Sequence, residues 1–189
     1  MNKNKLLLSL VTFIISISFA GSAFSEMDND SPDLGGGFIE PEAWKEGAEV
    51  TIPPYPQSDD LIKVEVDRVD MPFQFYLDKK NISSFVKNDL VRYSVVIESD
   101  SGAKNVLFEG IRCQTNQYKT YAYGTYDNKF TKARTSEWKR INDSGFMVHR
   151  YNFYKHYMCN DLRQPIPVSD ILRKVRYPED FQGTGELSD

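Results

Sequence analysis

The chain has 189 residues and a formal net charge of −4, and its 12 Phe, 11 Tyr and 2 Trp exclude a disordered polar tail. The charge is unevenly placed, at −10 over residues 26–70 and +8 over residues 71–176. An acidic stretch ahead of a basic body attracts that body, or leaves it open to an anionic partner that salt would release.

The first residues read as a secretory signal peptide. Lys3 and Lys5 form a positive start, Leu6 to Phe19 is apolar apart from Ser and Thr, and Ala20 to Ser25 supplies small residues for cleavage. The cut is expected after Ser25, with Ala23 as the second choice. The apolar run is too short for a span, which takes about 20 residues. No cysteine precedes Cys113, so a lipid-anchored N-terminus is not expected. The mature chain is therefore expected to be exported, soluble and periplasmic, with no membrane span after cleavage. That compartment argues against nucleic acid as a partner.

Residues 26–58 read as an acidic arm or linker, punctuated by Gly35-Gly36-Gly37 and Pro53-Pro54-Tyr55-Pro56. A plain spacer has no use for Trp44, Val50 and Ile52, so Trp44 is expected to pin the arm to the body. Residues 59–178 are predicted to form one domain, and residues 179–189 a loose tail.

Within the body, Leu61 to Val66 alternates as a strand and Phe73 to Leu77 forms a second. Asp78-Lys79-Lys80-Asn81 has turn chemistry. Leu90 to Glu98 alternates, with Val91, Tyr93, Val95 and Ile97 on one face. Ser99-Asp100-Ser101-Gly102 connects it to a central strand from Asn105 to Cys113, apolar on both faces. Tyr118 to Tyr126 follows, with Tyr121 and Tyr123 on one face. Gly110 and Gly124 inside strand patterns suggest bulges or close backbone approach. Residues 146–158 fit either period, and helix is favoured. Val168, Ile171, Leu172 and Val175 then form a helical stripe, with Arg173, Lys174 and Arg176 in the last turn and Pro178 beyond. The predicted class is α+β: an antiparallel meander of about five strands, packed by one or two C-terminal helices.

Cys113 and Cys159 are an even set in an exported chain, which points to a structural disulfide. For a closed loop of about 47 residues the chain-entropy model gives on the order of 4 kcal/mol. Two buried thiols or an active thiol pair are the alternatives, although the C-x-x-C spacing of redox enzymes is absent.

Several ordered blocks make the chain resemble the uncharacterised periplasmic family typified by cryptic neisserial protein one. They begin with Trp44-Lys45-Glu46, Pro53-Pro54-Tyr55-Pro56 and Val91-Arg92-Tyr93. Asn105-Val106, Glu109-Gly110-Ile111-Arg112-Cys113 and Tyr121-Ala122-Tyr123-Gly124 follow. Ala133-Arg134-Thr135-Ser136-Glu137-Trp138 and Tyr157-Met158-Cys159 complete the set. The resemblance implies a periplasmic protein and transfers no catalytic residue. The lipoprotein character of such members does not carry over without a lipobox cysteine, and Phe130 stands where a tryptophan is expected.

Catalytic and metal constellations are weak. His149, His156 and Cys159 would align on a helix, but a bonded Cys159 cannot ligate and zinc needs three or four ligands. No metal and no cofactor is expected. A Cys/His nucleophile needs a free thiol, and no G-x-S-x-G elbow occurs. Arg92, Glu109, Arg112, Arg134 and Glu137 are charges inside apolar or motif-like blocks. One reading makes Arg92, Arg112 and Arg134 an anion site. The other makes the group an internal Arg–Glu network that fixes the sheet against the loop carrying Trp138. The tyrosines of 118–126, with Lys119 and Lys129, offer a stacking platform or simply cover a core. The expected function is a non-catalytic envelope binding or interaction module for an anionic glycan, peptide or protein. A small hydrolase-like enzyme using Glu109 or another carboxylate with nearby arginines is the alternative, and a purely structural envelope component the third.

Overall fold

The computed structural model describes residues 44–47, 50–67, 71–143 and 145–178. The expected signal peptide, most of the acidic arm and the expected C-terminal tail lie outside these residues.

Seven antiparallel strands make one sheet: β1 (Leu61–Val64), β2 (Phe73–Phe85), β3 (Leu90–Ser99), β4 (Lys104–Arg112), β5 (Gln117–Gly124), β6 (Phe130–Lys132) and β7 (Lys139–Arg140). Strands β1 to β6 follow one another across the sheet, and β7 joins β5 beside β6. The expected meander is present with two more strands than anticipated. The extra pair is short and lies along one edge, where three or two residues carry too little pattern to be read.

Strand β2 is the main correction. Asp78 to Asn81 does not end a strand but interrupts its register with β3 between Leu77 and Ile82. The turn chemistry is used locally: the buried Asp78 carboxylate accepts the Lys80 amide at 2.9 Å and the Asn81 side-chain amide at 2.6 Å. Bonds of this kind satisfy polar groups while the ladder shifts.

The alternation of β3 sorts its two faces. Val91, Tyr93 and Val95 join Phe75, Leu77, Leu107 and Ile111 in the main core. That core is covered by α1 (Val148–Asn152), a π-helical turn (Phe153–Met158) and α2 (Val168–Arg176). The helix favoured for 146–158 is thus α for one turn and then widens, with the Cys159 amide donating to the Tyr154 carbonyl at 3.2 Å. Phe153, Tyr157 and Met158 are all buried by this geometry. In α2 the predicted stripe holds, with Ile171 and Val175 buried. Cys159 follows the π turn and is bonded to Cys113 at the end of β4, tying the helical layer to the sheet.

The opposite face has its own small cluster of Phe108, Tyr121 and Ala122, covered by Val50 and Ile52 of the arm and by Phe130. A register shift in β5 opposite Phe108 and Glu109 places Tyr121 and Ala122 together on this side. Tyr123 instead pairs with Leu107 of the main core, so it does not share a face with Tyr121 as expected.

Gly124 shows why the arm lies so close. A Cβ there would sit 2.7 Å from Val106 Cβ and 2.9 Å from the Tyr55 ring. Gly124→Ala is expected to lower stability by about 1–3 kcal/mol, as overpacking does. A denaturation midpoint unchanged from wild type would show that Tyr55 gives way freely.

Candidate functional site

The charged residues singled out in the sequence fall on two faces of the sheet. Glu109 points into the helix-covered core and is fully buried. Its β3 neighbour Tyr93 donates a hydroxyl to Oε2 at 3.1 Å, and its β5 neighbour Thr120 donates to Oε1 at 2.7 Å. From α1, Arg150 donates Nη2 to Oε1 at 2.6 Å and Nε to Oε2 at 3.0 Å. The guanidinium also lies 4.1 Å from the Tyr118 ring centre. Burial pushes the Glu109 carboxyl up, but Arg150, with His149 and Thr120, outweighs it and holds the group below its ordinary value. Burial and the Glu109 charge push the Tyr93 hydroxyl well up. This is a closed, satisfied ion pair.

The other face carries the basic residues. Arg92 of β3 pairs in register with Gly110, two residues from Arg112 of β4, so the two arginines share a face as anticipated. Lys119 of β5 lies opposite Gly110 and completes the row. Over it lies Glu46 of the arm, 2.7 Å from Lys119 Nζ and 3.5 Å from Arg92 Nη2. Burial pushes the Glu46 carboxyl up, yet Lys119, Tyr121 and Arg92 together hold it below its ordinary value.

Aromatic rings wall this row. The Arg112 guanidinium sits 3.7 Å from the Trp44 ring centre, with Trp138 edge-on to Trp44 at 5.6 Å. Trp44 donates its indole N–H to the Asn88 carbonyl at 2.8 Å, so it does pin this part of the arm. Arg92 lies between Phe85 and Tyr121, at 5.2 and 5.5 Å from their ring centres. Arg112 also faces Asp89 at 3.8 Å. The pairs in the cradle are long: Nε and Nη2 of Arg92 and Nε of Arg112 are sealed from solvent without a hydrogen bond, and so are the facing acceptors Glu46 Oε1 and Asp89 Oδ2, at 3.5 and 3.8 Å. Such buried donors normally find partners.

The anticipated group therefore separates. Arg92 and Arg112 come together with Lys119 and Glu46, Glu109 pairs with Arg150 through the sheet's other face, and Arg134 lies exposed between β6 and β7. The tyrosines of 118–126 form no single platform, since Tyr118 and Tyr121 are buried on opposite faces. Lys129 pairs with exposed Asp127 at 3.1 Å. Glu46 and Arg150 were not singled out for charge; Glu46 falls in the Trp44-Lys45-Glu46 block and Arg150 in the segment 146–158 favoured as helix.

His149 is buried and stacked on Phe75 at 5.1 Å, as a packing histidine. Among the described residues no three His, Cys, Asp or Glu side chains gather as a metal would need, and no helix is long and apolar enough to cross a membrane. The bonded cysteines are compatible with an exported protein.

A family model described as the CNP1-like family matches residues 39–176. The chain belongs to that family. The CNP1-like span takes in every strand and both α-helices of the described residues, with the disulfide and the Glu46 cradle. No curated protein and no solved structure matches the chain. The family description names neither a reaction nor a ligand.

Proposed function

We propose that this CNP1-like protein is a periplasmic, non-catalytic envelope module that binds an anionic glycan, peptide or protein through Arg92, Arg112 and Lys119. The supporting observation is the cradle around Glu46, where a carboxylate already sits among two guanidiniums, an ammonium and aromatic walls with buried donors unused. A partner carboxylate or phosphate free of the arm could approach Arg92 more closely than the 3.5 Å at which Glu46 stands, and arginine suits bidentate capture. The arm then acts as a competitor held in the same chain, lowering apparent affinity by the fraction of time it occupies the cradle. Glu109 is fully buried and paired with Arg150, which supports the binding reading over a hydrolase that would use this carboxylate.

The test is capture from envelope extract at low and then high salt. Glu46→Gln should retain more of a salt-released partner than wild type, and Arg112→Gln little or none. A partner kept at high salt, or kept equally by Arg112→Gln, would sink the proposal.

A further inference from the structure

The cradle already holds one occupant, and the arm residues in it meet the body position by position. The Trp44 ring lies 3.7 Å from the Arg112 guanidinium and edge-on to Trp138. Its indole N–H donates to the Asn88 carbonyl at 2.8 Å. Lys45 is exposed, so its position selects little. Glu46 accepts Lys119 Nζ at 2.7 Å. Gly47 then turns at φ +86°, where a Cβ would stand 3.1 Å from Asn88 Nδ2, so glycine fits this place best.

The arm fills the site incompletely. Arg92 is only 9% exposed, yet its Nε and Nη2 stay unbonded, with Glu46 Oε1 3.5 Å from Nη2. A tethered segment holds its place despite such gaps, because its effective concentration is roughly millimolar. A free segment of the same pattern can settle closer, and each buried donor it satisfies adds to its affinity.

We infer that the partner of the cradle is a peptide segment with the arm's own pattern: an indole, any residue, a carboxylate and then glycine. The inference rests on the binding role proposed for the cradle and selects among its ligand classes. A glycan or a phosphate would supply the anion for Lys119 and Arg92 but no flat ring for the Arg112 guanidinium.

NMR titration with the capped peptide of residues 42–48 tests it. In the protein, Trp44→Ala with Glu46→Gln loosens the arm, and a thermal melt checks that the variant folds. This variant should bind the peptide saturably, with shifts at Asn88 and Lys119, and about tenfold or more tighter than wild type does. Within the peptide, Trp44→Ala and Glu46→Gln should each weaken binding by about tenfold, and Gly47→Ala by severalfold. Trigalacturonate, a carboxylated glycan, should bind about tenfold more weakly than the peptide. Equal affinity for trigalacturonate, indifference to the peptide's Trp44→Ala and Glu46→Gln changes, or no saturable peptide binding would overturn the inference. Such a failure beside salt-released capture that Arg112→Gln abolishes would leave the cradle with a different anion; failure of both experiments would remove the cradle reading as well.

Discussion

Glu109→Ala is expected to destabilise the fold by about 3–5 kcal/mol, the range for breaking a buried ion pair by removing one member. The substitution strands Arg150 without its carboxylate and removes the acceptor of the Tyr93 and Thr120 hydroxyls in the same step. Glu109→Leu with Arg150→Met removes both charges, so it should recover most of that loss. Urea denaturation of the wild type and the two variants measures the effect, and a Glu109→Ala midpoint near wild type would refute it.

The pair also predicts an acid dependence. The Glu109 carboxyl is held below its ordinary value of 4.5 in the folded chain, so the unfolded chain takes up the proton first as pH falls. Its contribution is therefore fully present above that ordinary value and is lost as pH falls through the lower folded value. Stability of the wild type should drop across that acidic range more steeply than that of the doubly substituted variant. Parallel profiles would show that the pair does not govern acid unfolding.

Loss of the Cys113–Cys159 bond is the second large effect, at roughly 2–5 kcal/mol. The cysteines are separated by 46 residues, and the bond restrains an unfolded loop that holds β5 to β7 and α1. Both sulfurs are buried where β4 ends and the π turn ends, so reduction frees the helical layer before it frees the central strands. Cys113→Ala with Cys159→Ala avoids a leftover thiol and should lower the melting temperature as reductant does. Hydrogen exchange in α1 and the π turn should rise more than in β3 and β4. Intact mass with two free thiols in protein recovered from its native cells without reductant would refute a native bond.

Much of this architecture was legible because it rests on local periodicity. The β3 alternation, the α2 stripe and the hairpin at Ser99 to Gly102 each need only a few neighbours to be read. The longer β2 was missed because Asp78 to Asn81 carries turn residues, and only pairing with β3 on both sides shows that the strand continues. The same limit applies to Tyr121, whose face depends on one register shift against β4.

The charges mark the boundary most clearly. Composition alone determined that an acidic arm precedes a basic body, while Arg92 and Arg112 come to one side of the sheet through strand alternation together with the pairing of β3 and β4. Whether Glu109 would join them was a question of parity along β4: it alternates with Arg112 and so turns to the helices, where Arg150 arrives from 41 residues away in sequence. Glu46 reaches Lys119 across 73 residues for a similar reason, because Trp44 finds its ring contacts and the Asn88 carbonyl only after the sheet exists. Local patterns are written in the chain, but charge partners of this kind are chosen by which distant segments burial brings together.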